Sequence, residues 1–563
     1  MRTLRTLFIV IFYCLLAGTS FAQQEQQPAE EEKPAEEQPQ SLPQPNAVTV
    51  TQIGTSNTAT ASQGQGNGGG SGLTSTISQV GTVGGNTNNL GISNQTGSGH
   101  TSTINQNGTA TFNRAAVTQQ SSTDTEGGSN TATLEQNNSG GTAQQTGART
   151  GIAATAGNWA GVWQKGVSNT ATIMQNKGGT KANFGEIWQQ GFSNTGTITQ
   201  SGGATSGKAE IFQGINTRPT AFDEGSVDIS VSGNTASINQ NQSQNSLSKV
   251  TQTSNNNTAT VTQRLSSDNS AVIFQGATDA TIAVPGSNEA TIDQSGTSSM
   301  NSASALQTGT NGLIEILQKN NSTNSVAYVQ QVSGNKSEAY VQQEFGSLRD
   351  EATIIQYGDQ HKAATSQVLG SDNVATIRQG SATVTGSAKN QAATYQSSAT
   401  SNTISIGQNQ TTAGERNFAQ VEQGFASSTS TANRASIMQE GSFNTAIAVQ
   451  KGSSNTATVE QSGNYNVVTG PAEARFPANT QTYKTGASQD GSGNSLVVTQ
   501  TADDATATKF NLGNLSQTGM NNQLILNQTI TSGATANNTA TITQNGNSNM
   551  ANVTQTSEIS RVR

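Results

Sequence analysis

The stretch Asn433–Asn466, NRASIMQEGSFNTAIAVQKGSSNTATVEQSGNYN, repeats one eleven-residue pattern three times. Asn433, Asn444, Asn455 and Asn466 head the copies, Gln439, Gln450 and Gln461 stand six residues later, and Gly441, Gly452 and Gly463 follow each Gln by two. The rule is N-x-A-x-(I/V)-x-Q-x-G-x-x. Its marked residues lie two apart, the period of a strand whose alternate side chains share a face. Asn, Ala, Ile/Val and Gln therefore point one way, and the Gly-, Ser-, Asn- and Lys-rich residues after Gln have turn chemistry. An eleven-residue period also suits a right-handed helical coil. A Gly in every copy and a Thr/Ser/Val-rich filling disfavour helix. In the middle copy the alternation places Asn444, Ala446, Ala448 and Gln450 inside, and Thr445, Ile447 and Val449 outside, leaving two aliphatic side chains on the outer face.

The pattern begins at Asn46 (NAVTVTQ) and Asn57 (NTATASQ), loosens through the Gly-rich residues 64–72, and is regular again from Asn158 to Gln213. That run includes NWAGVWQ, with Asn158 and Gln164, and NTATIMQ, with Asn169 and Gln175. The last copy is NMANVTQ, from Asn549 to Gln555. With degenerate copies there are roughly three dozen units, enough for a stacked array in which neighbours supply the core that a single unit lacks. The repeat offsets a composition that otherwise suggests disorder: of 563 residues only 31% are hydrophobic and 60 are Gly.

Outside the repeat, residues 1–22 read as a secretory signal, with Arg2 and Arg5, an apolar run from Leu7 to Ala17, and the small-residue site Ser20-Phe21-Ala22. The apolar run is too short to span a bilayer and no second one follows, so no membrane span is expected in the mature chain. The single cysteine, Cys14, lies in the signal, so the mature chain is expected to have no disulfide or thiolate metal site. Removing Arg2 and Arg5 takes the net charge from −8 to −10, which disfavours a nucleic-acid partner. Residues 23–45 form an acidic, Pro/Gln-rich linker holding five of the nine prolines. The other four, Pro219, Pro285, Pro471 and Pro477, avoid the strands, as hydrogen-bonded strands require. Residues 46–555 carry the repeats, interrupted by insertions near 137–157, 215–233 and 466–486, and 556–563 form a short tail.

The pattern Q-x-G-x-x-N-x-A-x-x-x-Q resembles the curlin repeat of curli fibre subunits, over most of residues 46–555. The resemblance implies an all-β, parallel β-solenoid with two units per rung and Asn and Gln ladders inside. It also implies a structural role in extracellular amyloid fibres of biofilm matrix, cell adhesion and aggregation. The partners it implies are further copies of the chain or related subunits, a curli-type outer-membrane export pore and a nucleator. This chain has many more repeats than curlin subunits, and an acidic leader in place of a Gly/Asn-rich one. Physical chemistry supports the same core, because parallel strands about 4.8 Å apart let identical amides bond to the copies above and below.

Catalytic chemistry is not expected. His100 and His361 both head units in the Asn slot (HTSTINQ, HKAATSQ), where a ladder substitute is the simpler reading than a catalytic residue. No nucleophile–base pairing, metal spacing or cofactor motif emerges, and no groove of charged residues suits glycan cleavage. Asp223, Glu224 and Asp228 in an insertion, and Asp503 and Asp504 in a turn, read as solvated loop carboxylates, with weak calcium binding the alternative. One outer-face feature stands out. Trp163, Trp188 and Phe212 precede the closing Gln of alternate units, and Trp159 and Phe184 follow Asn, so all five are expected on one face in vertical register. Such a patch signals contact with a neighbouring filament, an insertion, or a glycan or other surface. A monomeric surface adhesin is the alternative to a fibre subunit. A further alternative is an ice-binding solenoid, built on outward T-x-T pairs such as those of NTATITQ at Asn538. It requires continuous Thr rows, and along the chain these are interrupted by Trp, Lys, Glu and Arg.

Overall fold

The computed structural model describes residues 45–64, 71–81, 88–107, 113–121, 129–136, 158–176, 182–215, 231–276, 286–424, 430–469, 472–473, 485–502, 510–531 and 537–557. The signal, nearly all of the linker, the insertions near 137–157 and 215–233 apart from their edges, most of the 466–486 insertion, the end of the tail and the five loop carboxylates lie outside them.

Successive units alternate between two parallel sheets, so each strand pairs with the strand two units on. Arg434–Glu440 lies beside Thr456–Gly463, with Ala435 opposite Ala457, Ile437 opposite Val459 and Gln439 opposite Gln461. Between them Thr445–Ser453 joins the other sheet, beside Phe418–Gln423. Two units therefore make one rung of at least 22 residues, and the protein is a β-solenoid with no helix among the described residues. Neither sheet closes on itself. One runs from Ala47–Ile53 to Asn538–Asn545 and the other from Thr58–Gly64 to Met550–Ser557, and among the described residues each of these four strands is paired on one side only.

Between the sheets the third and fifth slots of each unit meet in a thin core: Ala171 and Ile173, Ala259 and Val261, Ala435 and Ile437, Ala457 and Val459, all buried. Small residues at the third slot keep the sheets close, and the larger fifth-slot side chains fill the gap. The turns of the Asn433–Asn466 stretch bend twice through the left-handed region. Gly441, Gly452 and Gly463 supply one such residue, at φ 94°, 84° and 85°. At Gly452 a Cβ would drive into the Gly491 carbonyl of the next rung. The second is the residue just before the Asn, and there it is rarely Gly: Ser168, Ser193, Phe443, Ser454 and Tyr465 all hold φ between 54° and 59°. An L-residue in that region is strained by about 1–2 kcal/mol, offset here by the rung above and below.

Two expectations need correction. Asn444, Ala446, Ala448 and Gln450 are buried as the alternation requires, yet Ile447 and Val449 are also buried, 1% and 3% exposed, although they lie outside the core cluster. Period two fixes the direction of a side chain but not what covers it, and a hairpin formed by Ala472–Glu473 with Thr485 and Gly486 leaves the sheet at the adjoining rung. The insertion expected at 466–486 is also shorter than its bounds. Asn466–Thr469 is a strand, with Val467 opposite Thr445 and Val468 opposite Ala446. The chain then departs and returns at Ala487, opposite Ala448, to finish the same unit at Gln489, opposite Gln450.

Candidate functional site

The repeat builds two unbroken amide ladders and two outer faces, and these are the features that can act. In each ladder the Gln Nε2 donates to Oε1 of the Gln one rung nearer the carboxy terminus. In one sheet the bond recurs at every step from Gln52 to Gln544, through Gln175 and Gln450. In the other it recurs from Gln63 to Gln555, through Gln164, Gln439 and Gln461. The remaining N–H reaches across the core to a carbonyl of the opposite sheet, as from Gln461 to Thr445 O and from Gln175 to Trp159 O, both 3.0 Å. Each buried amide is thus satisfied up, down and across, so burying it carries no desolvation penalty of an unpaired group.

The Asn slot works differently. Its Oδ1 accepts the backbone N–H of the next head in the stack, as from Asn169 to Asn130 (2.9 Å) and from Asn455 to Asn433 (2.8 Å), while Nδ2 donates to turn carbonyls, as from Asn444 to Gly463 O (2.8 Å). Asn158 Oδ1 likewise accepts from Asn183 N at 3.0 Å. Because the donor from the next rung is backbone, this slot tolerates other residues: Leu73, Gly207, Ser246, Gly312, Ser325, Ser337 and Asp350 also head strands that close on Gln. Several of these heads escape a reading that starts from Asn; the Gln six residues on is the signal that finds them.

The two histidines are in that slot. His361 Nε2 lies 2.8 Å from Tyr357 O and its Nδ1 accepts from Asn390 N. His100 repeats this with Thr96 O and Asn130 N. A neutral imidazole thereby reproduces both halves of the Asn side chain. Burial drives each ring's pKa down to about 4, against the smaller opposing pull of the accepting carbonyl. Asp350 also takes the slot, accepting from Asn373 N and Nδ2, and burial raises its pKa.

The aromatic residues share one outer face and stand in register: Trp159 beside Phe184, and Trp163 beside Trp188 and then Phe212. Rings of successive rungs stack at centroid distances of 4.6 Å, Trp159 on Phe184 and Trp163 on Trp188. Trp159 and Trp163 lean together at 5.5 Å over Gly161, where any Cβ would collide with both indoles. The exposed contact patch expected there is not what the structure holds. Phe184, Trp163, Trp188 and Phe212 are only 8%, 6%, 4% and 2% exposed, and Trp159 is half-buried. The rings cover one another, Ile215 packs on them, and Lys208 and Lys249 lie over Phe184 and Phe212. Glu186, fully buried beneath, accepts from the Trp188 indole N–H. The cluster is a second small core on the outside of the sheet.

Among the described residues no helix is long and apolar enough to cross a membrane. No curated protein matches the chain. The family model of the curlin associated repeat matches residues 349–380 and 431–463. Those stretches contain three heads each, Asp350, His361 and Asn373, then Asn433, Asn444 and Asn455, all within the two Gln ladders. Over those two stretches the chain carries the curlin associated repeat.

Proposed function

We propose that this chain is a structural, non-enzymatic subunit of extracellular curli-like fibres, secreted through a curli-type pore and contributing to matrix cohesion and attachment. The observation that carries the reading is the pair of open, complementary ends. At the first strand the inward Val48 and Val50 are 50% and 45% exposed, whereas Ser75 and Ile77 in the same slots one rung on are 1% and 0%. At the last strand Val553 and Gln555 are partly exposed and Met550 is 75% exposed. Open strand edges of this kind pair with other chains. The amide ladders give the stack a direction. Gln544 and Gln555 end it with Nε2 donating to Gln523 O and Thr539 O, and Gln52 and Gln63 begin it with Nε2 donating into the stack, to Gln79 and Gln95 Oε1. Stacking the first rung of one copy on the last rung of another continues both ladders in the same sense. It sets Val50 against Ile542 and Ala61 against Val553. Such a head-to-tail contact does not close, and it generates filaments.

The test is polymerisation of the purified mature chain. Thioflavin-positive fibres should form after a lag, with a reflection near 4.7–4.8 Å along the axis, and preformed fibres should shorten that lag. Val553→Pro should slow growth more than a proline added to the acidic leader. A chain that stays monomeric at high concentration and cannot be seeded would instead be a surface adhesin with the same fold.

A further inference from the structure

Over part of the chain, sorting units into sheets separates the interruptions of the T-x-T pattern from the Thr rows. Trp159, Trp163, Phe184, Trp188, Lys208 and Glu210 all belong to one sheet. The outward second and fourth slots of the other sheet read Thr74/Thr76, Thr101/Thr103, Thr131/Thr133, Thr170/Thr172, Thr195/Thr197, Thr235/Ser237 and Thr258/Thr260 in seven consecutive rungs, each directly in register with the next. The two columns contain no charged and no bulky side chain, and every one of these residues is solvent-accessible. Beyond them the columns end at Glu289 and Glu315.

We propose that this face binds ice. Each Thr presents a hydroxyl that both donates and accepts, beside a methyl group. A β-branched side chain is held to few χ1 rotamers on a strand, and the inner amide ladders fix the backbone below it. The array therefore repeats with little freedom, at about 4.8 Å from rung to rung and about 7 Å along the strand, over a length of about 29 Å for six rung steps. Those two repeats approach the spacings of water oxygens on a prism face of hexagonal ice. Hydroxyls hold the first water layer at lattice positions while the methyls prevent it from hydrating the face in other arrangements. The ligand is thus a crystalline water surface. A glycan sheet is disfavoured because the stacking rings that would bind one are buried on the opposite face.

The test uses the full mature chain, freshly purified and also as assembled filaments. A polycrystalline ice shell is grown slowly from solution and the protein taken up is measured, together with the growth of crystals in an annealed frozen film. The wild-type chain should enter the ice and hold crystals small. Thr172→Lys with Thr197→Lys should be excluded like a control protein, with an unchanged β signature by circular dichroism. The pair Thr376→Lys and Thr458→Lys, outward residues of the other sheet, should behave as wild type. Exclusion of the wild type in both forms overturns the proposal. So does equal uptake by the Thr172/Thr197 variant. If that variant instead loses only filament bundling, the face pairs with a second copy of itself and does not bind ice. Seeded fibre growth of the variants is read separately, so failure of the ice reading leaves the end-to-end contact untouched.

Discussion

Between Thr131 and Thr262 the solenoid carries two outer faces on one inner frame, and they differ in almost every respect. One carries two solvent-accessible hydroxyl columns, with Glu135 and Met174 in the outward slot beside them; the other stacks indoles and phenyl rings over a buried Glu186 side chain. Beneath both, the Gln ladders run without a change. The outward slots of a unit are therefore free of the folding requirement that holds the inward ones, and either face can be remade while the stack persists. Four variants would break or sharpen this contrast. In a repeat array they are best read by local hydrogen exchange, because rungs need not unfold together.

The largest effect is expected inside. Gln189→Leu removes the donor to Gln213 Oε1, Thr170 O and Asn194 O, and the acceptor of Gln164 Nε2. Several buried polar groups lose a partner together, at about 5 kcal/mol. Protection should collapse in the rungs from Asn158 to Gln213 and persist around Asn301–Gln379. Next, Trp188→Ala opens the stack between Trp163 and Phe212 and should cost about 3 kcal/mol, at the low end for a buried Trp because the cluster sits in a surface layer. Unchanged protection of those rungs would mean that the rings are dispensable ornaments.

The histidines sharpen the inner half of the comparison. Their folded pKa lies below the ordinary value, so the neutral ring is the stable form. Their contribution is complete above about pH 6.5 and falls away as the pH drops toward 4, by up to about 3 kcal/mol each. Buried carboxylates such as Glu315 and Asp350, whose pKa is raised, act in the opposite sense. The decisive measurement is therefore the difference between wild type and His100→Asn with His361→Asn, which should retain stability at pH 4.5 and match the wild type at pH 7.5. The smallest effect is on the hydroxyl face: Thr197→Val should change stability by less than about 0.5 kcal/mol. A larger loss would show that the outer Thr columns help to hold the rungs.

Much of this was legible in the chain. The spacing of Asn444, Ala446, Ala448 and Gln450 fixes both strand direction and inner face, and the resulting solenoid has two units per rung. What escaped depends on contacts between distant residues. Ile447 and Trp188 point outward as period two demands, but their burial comes from other parts of the chain. The left-handed residue before each head is invisible in composition because Phe443 and Tyr465, stacked at 4.9 Å, fill a position where Gly or Asn is the usual choice. The hydroxyl array was hidden for a simpler reason: neighbours in sequence lie on opposite sheets, so the Thr columns emerge only when alternate units are read together.

The unit interrupted between Val468 and Ala487 has a practical meaning. Its Asn466 joins Asn444 and its Gln489 joins Gln450 as if no residues intervened. A unit is thus assembled from two half-strands with no need for a continuous strand between them. The same break point is a natural cargo dock: a folded domain with closely spaced termini can replace the intervening segment and ride on the solenoid with both ladders intact.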